Sequence, residues 1–94
     1  MIYWAIYDIR SNKSRTKVAN ICKDFGLKRI QYSSFLGVLT KNKAEMLAIE
    51  ARRYLSNKDK LLLMPAGKED FDKKIVMGDF DNSTAQRKEV IFLG

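Results

Sequence analysis

Histidine is absent from the 94 residues of this chain, and cysteine and proline occur once each. Without histidine there is no Ser-His-Asp triad, no histidine-based general acid and no Cys/His cluster for zinc. One cysteine cannot form an internal disulfide. Cys22 falls on the apolar side of an expected helix, where a free thiol serves as a small hydrophobe. No stretch approaches the roughly 20 apolar residues of a membrane span. The apolar start, Met1 to Tyr7, is too short for a signal peptide and lacks a basic flank. The expectation is a cytoplasmic protein with no membrane partner, folded as a single domain over residues 1–94.

Acidic residues are also scarce where basic ones are plentiful. Residues 1–43 carry nine Lys/Arg and two Asp, whereas residues 44–94 carry nine of each sign. The net charge of +7 therefore sits in the first half. From Arg10 to Arg29 there are seven basic residues against Asp24 alone. A localised excess of this kind suits a polyanion, because each neutralised phosphate releases condensed counterions. A merely soluble face is the plainer reading.

Ile2 to Tyr7 is a β-branched and aromatic run of strand length that ends at Asp8. Ser11, Asn12 and Ser14 announce a helix whose face is Val18, Ile21, Cys22 and Phe25, closed by Gly26. Lys28–Ser33 and Ser34–Thr40 read as two short strands with a tight connection. A second helix runs from about Lys41 to Leu55, with Ala44, Leu47, Ala48, Ala51 and Leu55 as its stripe. After a polar turn at Asn57-Lys58-Asp59, the run Leu61–Met64 predicts a buried strand. The order βαββαβ is the split pattern of the ferredoxin-like fold, an α+β sandwich. The core spans about residues 1–65. The extension, about 66–94, is expected to add one or two C-terminal strands, one at Lys74–Met77, and to end in the apolar patch Val90–Leu93.

The first strand is apolar on both faces: Ile2, Trp4 and Ile6 on one, Tyr3, Ala5 and Tyr7 on the other. Two helices cover one sheet face only, so the second predicts a homodimer.

Asp8, at the end of that strand, is the candidate for chemistry. Its plain role is a turn residue accepting backbone N–H groups. Its basic setting suggests another, since magnesium binds through one or two carboxylates plus waters and phosphate. One carboxylate per chain is few, and two copies of the chain supply a pair. Arg15, Lys17 and Arg29 are cations expected near it, suited to phosphate. Tyr7, Tyr32 and Phe35 are aromatics that either stack on a base or fill the core. Phosphodiester cleavage without histidine would rely on a metal-activated water.

The stretch Tyr7-Asp8-Ile9, a basic helix start with Arg15 and Lys17, and then Gly26-Leu27-Lys28-Arg29-Ile30-Gln31-Tyr32-Ser33-Ser34-Phe35-Leu36-Gly37 resembles the CRISPR-associated endonuclease family, the small ferredoxin-like subunit of the spacer-acquisition complex. Ser34 departs from it, since the family usually has a hydrophobic residue there. The resemblance implies a homodimer in which the two Asp8 share one magnesium or manganese ion. It implies metal-dependent cleavage of single-stranded RNA or double-stranded DNA, and partnership with the larger CRISPR integrase subunit. It makes Asp8 the catalytic metal ligand, and Tyr7, Arg15, Lys17, Arg29 and Phe35 activity-supporting, nucleic-acid-binding positions. Two alternatives stay open: a non-catalytic adaptor that grips duplex DNA, and a toxin-type ribonuclease of the same fold. An RNA-recognition module fits less well, because Ser34–Leu39 lacks the Gly-aromatic pattern of that class.

Overall fold

The computed structural model describes residues 1–80. Strand β1 (Ile2–Asp8) leads into helix α1 (Asn12–Asp24), the hairpin β2 (Lys28–Gln31) and β3 (Ser34–Val38), helix α2 (Lys41–Arg52), strand β4 (Lys60–Ala66) and a short helix α3 (Lys68–Asp72). The four strands lie in the order β2-β3-β1-β4, all pairs antiparallel. This is the expected ferredoxin-like sandwich.

Local chemistry accounts for the boundaries. Ser11 caps α1 by accepting the Ser14 N–H at 3.3 Å, and Thr40 does the same for α2 with Lys43 at 3.1 Å. At the end of α1, Gly26 takes φ of +91°, a conformation glycine adopts without strain. Its N–H donates to the Lys23 carbonyl and that of Leu27 to Cys22, the double bond pattern that closes a helix and turns the chain into β2.

Strand pleating sorts the side chains as the alternation predicts. Tyr3, Ala5, Tyr7 and Phe35 pack with Val18, Ala19 and Cys22 of α1 and Ala44, Leu47 and Ala51 of α2. Burial pushes the Cys22 thiol up to about 12, so it stays protonated as a core group. Gly37 fills a tight point in this layer. A Cβ there would lie 2.7 Å from Leu27 Cδ2, 3.1 Å from Leu27 Cα and 3.3 Å from the Gly26 carbonyl. Because two of these neighbours are backbone, Gly37→Ala is expected to cost about 1–3 kcal/mol, read as a lowered urea midpoint with an unchanged slope.

Three expectations need correction. Leu61–Met64 is not buried on both sides. Leu61 and Leu63 pack on the helical layer, while Leu62 and Met64 are 49% and 45% exposed on the other face. No strand forms at Lys74–Met77, where Ile75 and Met77 stand in solvent. Instead, the chain folds into α3, which drops Phe71 onto Ile2, Ile30 and Leu36, with Phe80 packed alongside. The second sheet face thus receives part of its cover from the same chain, through a third helix. Trp4, Val38, Leu62 and Met64 remain exposed there. Finally, α2 stops at Arg52 rather than Leu55, and Tyr54 and Leu55 close the core from the turn that follows. The expected patch at Val90–Leu93, and any second added strand, lie outside the described residues. No helix among the described residues is long and apolar enough to cross a membrane.

Candidate nucleic-acid interface at the end of the first strand

Sheet order places β1 between β3 and β4, so Asp8 emerges at one end of the sheet, where the β1–α1 loop and the β2–β3 turn also lie. Asp8 is exposed, and the pleat sets it on the side of Ile2, Trp4 and Ile6, in register with Lys60. It lines a cavity of about 220 Å³ with Tyr7, Ile9, Arg15, Tyr32 and Ser33. An adjoining cavity of about 240 Å³ is lined by Tyr7, Asn12, Arg15, Thr16, Arg29 and Tyr32. Tyr7, Arg15 and Tyr32 form the wall between a carboxylate side and a cationic side.

Arg15 is held by its own loop. Its Nη1 donates to the carbonyls of Ile9 at 2.7 Å and Arg10 at 2.9 Å, and its guanidinium lies 5.8 Å from the centre of the Tyr32 ring. Arg29 is opposite Phe35 across the β2–β3 ladder, and its guanidinium sits 5.1 Å from the centre of that ring. The Phe35 ring in turn stacks on Tyr7, with centroids 6.3 Å apart. Burial raises the Tyr7 phenol above its ordinary pKa, and a side-chain hydrogen bond with Arg29 opposes that rise. The phenol remains a hydrogen-bond donor at neutral pH, reaching towards the Tyr32 carbonyl at 3.5 Å.

The aromatics therefore separate into two kinds. Phe35 is 0% exposed and Tyr7 4%, so both act on the site by packing beneath Arg29 and the β2–β3 turn. Tyr32 is 70% exposed. The cations also divide. Arg15 and Arg29 line the groove, whereas Lys17 points its Nζ to the Tyr54 ring at 6.0 Å, where Arg53 stacks from 5.6 Å. A brace that steadies the loop is a feature that sequence reasoning missed. Asp59 accepts the N–H groups of Ser56 at 2.8 Å and Arg10 at 3.2 Å, and these bonds, that of Ser56 first, hold its carboxyl below the usual range. Only the turn pattern at Asn57-Lys58-Asp59 hinted at it.

Among the described residues, no three His, Cys, Asp or Glu side chains gather into a metal cluster. One exposed carboxylate at a strand end fits a hard divalent ion that keeps several waters, with phosphate or a second carboxylate filling out its shell. It does not fit a fully enclosed ion.

Comparison with known proteins identifies the family. The family model described as CRISPR associated protein Cas2 matches residues 1–74. The chain is 30% identical over 94 residues to CRISPR-associated endoribonuclease Cas2 1 of Archaeoglobus fulgidus, covering 99% of this chain and 100% of that one. It is 43% identical over 60 residues to CRISPR-associated endoribonuclease Cas2 of Desulforudis audaxviator, covering 63% and 57%. Among solved structures, a hypothetical protein from Thermus thermophilus superposes with a TM-score of 0.74 at 32% identity, over 86% of this chain and 94% of that one. Streptococcus pyogenes Cas2, crystallised at pH 6.5, gives 0.71 at 23% identity, over 83% and 100%, a likeness of fold. The family match runs from the first strand through α3 and takes in every residue of the groove, so the chain belongs to the CRISPR-associated Cas2 family.

Proposed function

We propose that this chain is a metal-dependent endonuclease that cleaves phosphodiester bonds and takes part in spacer acquisition. In this reading it acts in the cytoplasm as a homodimer, alongside the larger CRISPR integrase subunit. One observation carries the reading: an exposed carboxylate, Asp8, borders a groove whose opposite side is cationic. The relatives named endoribonucleases favour RNA as substrate.

Asp8 would hold a magnesium or manganese ion, shared with Asp8 of a second copy. When bound, such an ion activates a water and stabilises charge building on the phosphate. The chain's own groups do the rest. Arg15, fixed by two carbonyls, presents a pre-oriented cation to the backbone of the substrate. Arg29 adds a second charge from β2, and Phe35 and Tyr7 set its position from below. With no histidine in the sequence, no imidazole is available to shuttle protons.

A second reading rests on Lys17 and Arg53, which flank Tyr54 away from the groove. A basic surface there would grip duplex DNA as an adaptor, with no need of Asp8. End-labelled single-stranded RNA and duplex DNA, incubated with the purified protein and magnesium, separate the two. Cleavage of RNA that stops completely on adding EDTA is the expected result. Tight duplex binding without cleavage at any metal concentration would establish the adaptor instead.

A further inference from the structure

We infer that Tyr32 is a stacking platform for an unpaired nucleobase, which makes the groove beside Asp8 selective for single strands. The inference rests on the nuclease reading and adds to it a binding residue and the state of the substrate.

Of the three aromatics near Asp8, Tyr7 and Phe35 are buried in the core. Tyr32 belongs to neither core cluster. It occupies the β2–β3 turn with most of its ring in water. A large ring left in solvent at a two-residue turn gains nothing for the fold, where a polar residue serves as well. Its surroundings are specific, however. Arg15 approaches the ring, and because the Ile9 and Arg10 carbonyls fix that guanidinium, the cation stays near the ring without a ligand. Tyr32 also lines both cavities, so a base resting on it lies between the cationic side and the carboxylate.

An aromatic face joined to a fixed guanidinium is the pair that holds unpaired bases, by stacking and by cation–π attraction. A base within a duplex has both faces covered by its neighbours and cannot use the platform. Phosphate contacts from Arg15 and Arg29 treat single strands and duplexes alike, since they read the backbone only. Discrimination between the two therefore falls to Tyr32.

The test uses the whole chain in EDTA with a short RNA carrying one 2-aminopurine, single-stranded or annealed to its complement. Stacking on an aromatic ring quenches that base. Wild type should bind the single strand with quenching. Tyr32→Phe should match it, and Tyr32→Leu should bind the single strand about 10-fold more weakly, with the quench lost. Duplex affinity should stay within about twofold in both variants, which controls for an unfolded or misplaced loop. Quenching that survives in Tyr32→Leu, or equal losses on single strand and duplex, overturns the inference and leaves the nuclease reading standing. A change in oligomeric state with no change in strand preference overturns it too, by making the ring a contact between copies. Failure of wild type to bind either nucleic acid, both in EDTA and as a non-cleavable 2′-O-methyl strand in magnesium, removes both.

Discussion

Asp8→Asn is expected to lower metal-dependent cleavage by roughly 100- to 1,000-fold, the scale on which losing stabilisation of developing charge slows such reactions. The substitution is nearly isosteric and exposed, and Asp8 sits at a strand end outside both core clusters, so the fold should not change. A neutral amide is a poorer ligand for a hard cation than a carboxylate. Binding in EDTA should move the other way. Removing a negative charge from the cavity that Arg15 also lines strengthens attraction for phosphate, and affinity should equal or exceed that of wild type. This opposition makes the variant informative. Loss of both cleavage and binding would point to a damaged loop, and cleavage at the wild-type rate would return Asp8 to the role of a turn residue. The measurement is single-turnover cleavage of labelled RNA across a magnesium titration, beside equilibrium binding without metal.

The second large effect concerns Phe35, whose ring stacks on Tyr7 and lies beneath the Arg29 guanidinium. Phe35→Ala empties a space in the centre of the sheet and is expected to cost about 3–5 kcal/mol of stability. For a domain of this size that is a large part of the total. Activity at ordinary temperature would fall because the folded fraction falls and because Arg29 loses its support. Phe35→Leu, which keeps most of the volume, should recover most of the stability. Urea unfolding followed by circular dichroism reads the first effect. Cleavage measured where both variants are fully folded isolates the second. A Phe35→Ala midpoint equal to that of wild type would mean that the ring does not hold the core as its complete burial implies.

The particular residues show how far one chain of letters carries a fold. The alternation of Ile2–Tyr7, the Ser11 and Thr40 caps and Gly26 are local signals, each enforced by a backbone bond the structure contains. They were enough to order the elements through β4. Helix α3 was hidden because one buried residue, Phe71, anchors five residues, too few to show a period. The stretch Lys74–Met77 reads as a strand, but it pairs with no strand among the described residues, and Ile75 and Met77 stand in solvent. At the site, Asp8 stood out by its place at the end of an apolar run. The sorting of Tyr7, Tyr32 and Phe35 did not stand out, because an irregular register between Arg29 and Gln31 breaks the two-residue count just before the turn. Arg29 and Phe35 share a face only because they pair ahead of that irregularity.

The half-covered sheet face has a consequence for how this protein can be studied. Its one tryptophan, Trp4, is 40% exposed there, and the indole N–H donates to the buried Ser34 hydroxyl at 2.6 Å. That bond fixes the ring at the surface instead of letting it sink into a neighbour. Whatever seats itself on the face takes water away from the sole indole of the chain. The molecule thus carries an intrinsic optical reporter of association, tied to the sheet through Ser34.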